Sequence, residues 1–140
     1  MEWSEHARRE LSRRGHRTGG ARDAVIDLLA GQRCCLSAQA IHARLSGDGR
    51  AVGLASVYRA LETLTGLGLV HRLDVSGTAA YEPADPAGHH HHHMICSECG
   101  AVGAFEDDRL ERAIHALGEQ LGYRVDAHDV VLRGACPDCA

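Results

Sequence analysis

The fold turns on residues 55–82, Ala55-Ser-Val-Tyr-Arg-Ala-Leu-Glu-Thr-Leu-Thr-Gly-Leu-Gly-Leu-Val-His-Arg-Leu-Asp-Val-Ser-Gly-Thr-Ala-Ala-Tyr-Glu82, where the apolar period changes. Val57, Leu61 and Leu64 recur at helical spacing, which predicts a helix from about Ala55 to Thr65 ended by Gly66 and Gly68. Leu69–Leu73 and Ala79–Glu82 then read as two short strands. Asp74-Val-Ser-Gly-Thr78 joins them, and its Ser-Gly pair signals a turn.

Upstream, Trp3, Ala7 and Leu11 share one face of a helix over about Ser4–Arg13, interrupted by Gly15, Gly19 and Gly20. Arg22–Ala30 reads as a second helix, with Ala24, Val25, Leu28 and Leu29 apolar and Gly31 as its stop. Ser37 is a good N-cap for a third, Ala38–Leu45, followed by the loop Ser46-Gly-Asp-Gly49. Three short helices and a hairpin give the order of a winged helix-turn-helix, although a generic small α+β domain has the same inventory.

Downstream, Pro83-Ala-Asp-Pro-Ala-Gly88 has the composition of a linker. Strands are expected at His91–Cys96, Ala101–Phe105 and Tyr123–Leu132. Between the last two, Leu110, Ile114, Leu117 and Leu121 space out a helix over about Asp108–Leu121, with Gly122 beyond it. Asp107 and Asp108 stand at its positive end, where acids are favoured.

Composition narrows the function classes. The chain has 140 residues, 44% hydrophobic and 24% charged, which points to a folded domain or two small ones. No apolar run approaches the roughly 18 residues needed to cross a bilayer, and no signal segment follows the charged start, so the expected location is the cytoplasm. The net charge of −4 is uneven. Residues 1–83 carry 11 Arg against 9 acids, and residues 84–140 carry 4 Arg against 10 acids. An anion-binding front and an acidic, metal-binding back would be split in this way.

Six Cys and eleven His say more. Cys96-Ser-Glu-Cys99 and Cys136-Pro-Asp-Cys139 are separated by 36 residues. Each C-x-x-C turn holds two sulfurs within reach of one ion, and two turns supply the tetrahedral S₄ set of a closed zinc site. An iron–sulfur centre, a redox pair and unrelated thiols are the alternatives. His89 to His93 are consecutive. On a strand, His91 and His93 point one way and His90 and His92 the other, so each face offers two imidazoles to one ion. A His-rich surface loop is the bland alternative. At the start of the fourth helix, Tyr58 and Arg59 stand where a recognition helix reads bases, unless Tyr58 is core and Arg59 a solvated charge. There is no G-x-S-x-G, Walker loop or dinucleotide fingerprint. Cys34 and Cys35 lack a nearby His–acid pattern that would make either a nucleophile.

Taken together, Val52-Gly-Leu-Ala-Ser-Val-Tyr-Arg59, His89-His-His-His-His-Met-Ile-Cys-Ser-Glu-Cys-Gly100 and the terminal Cys136-x-x-Cys139 resemble the ferric uptake regulator (Fur) family over about residues 15–139. The resemblance implies a dimeric, metal-sensing transcription factor and not an enzyme. It implies an α+β chain: an N-terminal winged helix-turn-helix DNA-binding domain at 1–82, a hinge linker at 83–88, and a small C-terminal α/β dimerisation domain at 89–140. Cys96, Cys99, Cys136 and Cys139 match the structural zinc ligands. His91 and His93 match the hinge sensor site, which also takes Glu82 (or Asp85) and His71. His90, His92, Glu111 and His128 match a second regulatory site, with Glu111 on the helix and His128 on the last strand. Cys35 falls where iron-sensing members often have a His. Arg17, Ser56, Tyr58 and Arg59 are the DNA-facing residues. Gly19 departs from the family, which usually has a capping Thr there. The implied cofactors are structural Zn²⁺ and regulatory Zn²⁺ or Fe²⁺. The implied partners are double-stranded operator DNA, a second copy of the chain and metal ions, with no membrane. The His run and His71 make the chain most similar to zinc-sensing (Zur) members. Iron sensing is the alternative, with manganese or peroxide sensing behind it. A zinc metalloenzyme would need a positioned base, and a zinc-storage protein would need no recognition helix.

Overall fold

A computed structural model describes residues 2–17, 19–32, 34–75, 77–86 and 91–140. The chain divides into two units, Met1–His89 and His90–Ala140. Among the described residues, no helix is long and apolar enough to cross a membrane.

The first unit opens with α1, Trp3–Arg13, and α2, Gly20–Ala30. A two-residue strand, β1 at Leu36–Ser37, leads into α3, Ala38–Gly47. Then come α4, Leu54–Gly66, and a hairpin of β2, Val70–Val75, and β3, Thr78–Pro83. The strand order is β1-β3-β2, antiparallel throughout. This is the expected winged helix-turn-helix, with one strand added. β1 escaped the sequence reading because two residues carry no period; it exists through its pairing of Leu36 with Tyr81 and Ser37 with Ala80.

Apolar spacing explains the core. Ala7 and Leu11 of α1, Val25 and Leu29 of α2, Ile41 and Leu45 of α3, and Val57, Leu61 and Leu64 of α4 are buried together with Leu69, Val70 and Tyr81. Trp3 closes the cluster at one edge, where its indole N–H donates to the Leu69 carbonyl at 2.7 Å. Ser37 caps α3, its hydroxyl accepting from the Ala40 amide at 3.1 Å. Gly19 precedes α2 at φ 93° without a side-chain cap, in keeping with its departure from a capping Thr. The wing turn is tight: Gly77 takes φ 85°, and its amide donates to the Asp74 carboxylate at 2.7 Å. Pro83, expected in the linker, is the last residue of β3.

The second unit contains β4, His92–Cys96, β5, Val102–Phe105, α5, Asp108–Leu121, and β6, Val131–Gly134. Its sheet runs β5-β4-β6, with β4 antiparallel to β5 and parallel to β6. Asp107 caps α5 by accepting from the Arg109 and Leu110 amides at 2.8 and 3.1 Å. Gly122 closes the helix in the left-handed conformation, with the Tyr123 amide returning to the Gly118 carbonyl at 2.9 Å.

The expected strand at Tyr123–Leu132 is corrected. Residues 123–130 form no strand, and β6 runs Val131–Gly134. After the Gly122 turn the chain passes back over α5, and a Cβ placed on Gly118 would lie 2.8 Å from Val125 Cγ2. Alternating residues make a strand only where a neighbour accepts their hydrogen bonds, and β4 offers that ladder only from residue 131.

Candidate metal centres and nucleic-acid interface

The parallel pairing of β4 with β6 builds the cysteine cluster. It sets Cys96 opposite Gly134, so Cys136 follows two residues beyond the strand end. Each C-x-x-C folds as a turn, the Gly100 amide donating to the Cys96 carbonyl and the Cys139 amide to the Cys136 carbonyl, both at 2.9 Å. The four sulfurs of Cys96, Cys99, Cys136 and Cys139 all lie within 4.8 Å of one another. Cys96 is buried, and its sulfur accepts from the amides of Cys99 at 3.4 Å and Cys136 at 3.3 Å. These two N–H groups stabilise the thiolate and lower its pKa to about 6. Cys139 is pushed up to about 12, chiefly by hydrogen bonds to the neighbouring thiols of Cys136, Cys96 and Cys99. Four converging sulfurs, one of them accepting two amide N–H groups, fit a closed tetrahedral zinc site and leave no open position for catalysis.

A second cluster lies in the same unit. The two oxygens of Glu111, on the first turn of α5, reach His92 Nε2 at 2.5 Å and His128 Nε2 at 2.6 Å. The Val130 amide donates to His92 Nδ1 at 3.3 Å, so Nε2 carries the proton given to Glu111. His92 is 1% exposed and packs near the Phe105 and His128 rings, with centroids 5.6 and 5.2 Å away. The His92 bond, foremost, holds the Glu111 carboxyl below its ordinary range, with His128 adding to it. Three ligand atoms therefore converge where one ion would sit. His128 stands three residues before β6 rather than on it. His90, expected in this set, lies outside the described residues.

Of the remaining imidazoles, His91 and His93 are the pair expected on one face of the His run. The rings of His91 and His93 meet edge to face, with centroids 5.0 Å apart, whereas His92 turns to α5. In the first unit, the β2–β3 register pairs His71 directly with Glu82 across one rung of the wing. His71 is exposed and Glu82 buried. Asp85 follows β3.

Of the DNA-facing candidates, Ser56, Tyr58 and Arg59 lie in the first turns of α4 and Arg17 lies just before α2. Tyr58 is 43% exposed, so it is not core. Arg17, Arg22, Ser56, Arg59 and Thr63 line one open groove. Arg59 donates to the Ser56 hydroxyl at 3.0 Å, and Arg22 to the Arg17 carbonyl at 3.3 Å. Arg22 was not singled out as a contact residue by the sequence; the Gly-rich break that places its helix start beside α4 was the available signal. Three further contacts also went unseen. Arg8 reaches Asp23 at 2.8 Å and Asp27 at 2.5 Å, and Arg50, in the loop before α4, reaches Asp27 at 3.1 Å. Glu62 also lines the groove, so three arginines against one acid leave it net positive, as a phosphate-backbone site requires.

Comparison with known proteins agrees with this geometry. Residues 13–133 match the ferric uptake regulator family. A ferric uptake regulation protein of Legionella pneumophila is 36% identical over 105 residues, covering 74% of this chain and 76% of that one. That of Bacillus subtilis is 30% identical over 135 residues, covering 94% and 91%. The structure of the Helicobacter pylori ferric uptake regulator, reported to reveal three functional metal binding sites, matches with a TM-score of 0.84 at 25% identity, covering 98% of this chain and 91% of that one. The winged helix with its basic groove and the donor-rich α/β unit are thus the DNA-binding and dimerisation domains of a metal-responsive transcriptional regulator, not an enzyme, and the chain belongs to the ferric uptake regulator family.

Proposed function

We propose that the chain is a homodimeric, zinc-dependent repressor of metal-uptake and homeostasis genes, acting in the cytoplasm on double-stranded operator DNA. The observation that carries this reading is the presence of two donor sets of different hardness in one small unit. The sulfurs of Cys96, Cys99, Cys136 and Cys139 suit a permanently held zinc ion, whose binding supplies folding free energy. Nitrogen–oxygen sets suit an exchangeable ion. His92, Glu111 and His128, with His90, would hold one regulatory ion. His71, Glu82, His91 and His93 would hold the sensor ion, with Asp85 as the alternative to Glu82. Ion binding would favour the arrangement of two winged helices that spans two half-sites, which makes metal and operator affinity reciprocal.

The second copy is supported by what the second unit leaves uncovered. Leu117, Leu121, Tyr123, Val125, Val131 and Leu132 are exposed, while Ile95 is the large aliphatic residue buried there among the described residues. A patch of that kind is too apolar to face water alone.

The run of five His and His71 favours zinc. Relatives named for ferric uptake make ferrous iron the alternative, since imidazole and carboxylate also suit it. Titrating zinc and ferrous iron side by side against promoter DNA tests the choice. Zinc should support specific binding at a free concentration at least tenfold lower; the reverse order assigns the chain to iron.

A further inference from the structure

Two distant parts of the first unit meet on the carbonyl of Leu69. This residue stands between α4 and β2, and its own amide donates to the Leu64 carbonyl at 2.9 Å. Its oxygen accepts the indole N–H of Trp3 at 2.7 Å and the amide of Ala84 at 3.0 Å. A carbonyl oxygen has two lone pairs, and this one has a donor for each. Trp3 is on the first turn of α1, whereas Ala84 is the first residue after β3.

Ala84 occupies a sensitive place. Its bond to Leu69 carries the β2–β3 register one rung past Val70 and Pro83. His71 pairs with Glu82 two residues away along each strand, and Asp85 follows Ala84 directly. The donors that the first unit would give to a sensor ion, His71 with Glu82 or Asp85, thus all stand within two residues of the Leu69–Ala84 rung. Where the chain leaves the sheet decides where those donors stand, and ordering them before the ion arrives raises its affinity.

The fold itself does not depend on the indole N–H. α1 is also held by Ala7 and Leu11, buried in the core, and by the pairing of Arg8 with Asp23 and Asp27. Without Trp3, the Leu69 oxygen keeps the Ala84 amide, so no acceptor is orphaned.

We propose that Trp3 is a positioning residue of the metal response: from α1 it steadies the rung at which the first unit's sensor donors leave the sheet. This rests on the metal-dependent repressor reading. The two donors share one oxygen, so an ion that draws on Glu82 or Asp85 and shifts the Ala84 amide also changes the surroundings of the indole. Trp3 is the single tryptophan of the chain, so its emission reports on this rung.

The test uses the full chain with its structural zinc in place, titrated with zinc and, in a second arm without oxygen, with ferrous iron. Wild-type Trp3 emission should change over the same ion concentrations that raise operator affinity, and His91→Ala should remove both changes. Trp3→Phe keeps a ring but loses the N–H. It should leave structural zinc and metal-free DNA binding unchanged. It should lower the ion-dependent gain in operator affinity about two- to tenfold, which is what one net hydrogen bond supplies. A purely structural role would lower affinity equally with and without the ion and leave the gain intact. A wild-type gain that Trp3→Phe preserves, or that leaves Trp3 emission flat, overturns the proposal. If circular dichroism shows that Trp3→Phe does not fold, the wild-type emission decides. A wild type with no ion-dependent gain removes the repressor reading and this proposal with it, so the two failures are told apart.

Discussion

Cys96 is the residue on which the second unit depends most. It is buried, it receives two amide N–H groups, and it joins β4 to both C-x-x-C turns. With Ile95 as the large aliphatic core residue among those described, the unit has little hydrophobic free energy to replace a lost zinc ion. Cys96→Ser should therefore lose one zinc per chain and melt the C-terminal unit; elemental analysis and calorimetry would detect both, and unchanged zinc with a normal melt would contradict the assignment. In the other unit, Arg59→Ala should weaken operator binding while zinc content and dimerisation stay intact. A base contact discriminates by roughly 1–3 kcal/mol, so equal operator-to-random ratios in competition binding would show that α4 is not the reader. Asp27 offers a pH test. Arg8, first, and Arg50 hold its carboxyl below its ordinary range through hydrogen bonds. Its contribution is thus present above the ordinary carboxylate range and lost as pH falls through the lowered folded value. The side chains are 35% and 49% exposed for Arg8 and Asp27, so Asp27→Asn should cost less than about 1 kcal/mol at neutral pH. That difference should vanish in acid denaturation profiles.

Among the elements, α5 runs over the residues that sequence signals predicted, Asp108–Leu121, because its start and stop are local chemistry: the Asp107 cap and the Gly122 turn. The segment after it was misread because Val125 and Ala127 alternate without a partner strand to accept their ladder. Periodicity describes side chains, whereas a strand also needs a neighbour. The cysteine cluster was legible for the same reason as α5: each half is a four-residue turn. The convergence of His92, Glu111 and His128 was not derivable from spacing, since it spans a strand, a helix and a loop; only the family resemblance pointed to it. Arg50 and Asp27, 23 residues apart, gave no local signal at all. Gly118 tests the corrected path. A methyl group there meets Val125 Cγ2 at 2.8 Å, so Gly118→Ala should destabilise the second unit by about 1–3 kcal/mol in chemical denaturation. A neutral result would mean that residues 123–125 do not lie over α5.

For the whole molecule, the account is one of linkage between ion and operator. Imidazole binds metal only when deprotonated, so protons compete with the ion as pH falls into the acid range. Metal-dependent operator binding should fade there, and metal-independent DNA binding should not. On the proposed assignment, the two sides of the His run separate the roles most sharply. The most direct measurement is operator affinity, with and without zinc, for the wild type and for the His91→Ala, His93→Ala and His92→Ala variants. The account predicts that His91→Ala and His93→Ala abolish the zinc-dependent gain, while His92→Ala leaves a weaker, graded response. Equal loss in all three, or a retained zinc response in the His91 and His93 variants, would contradict it.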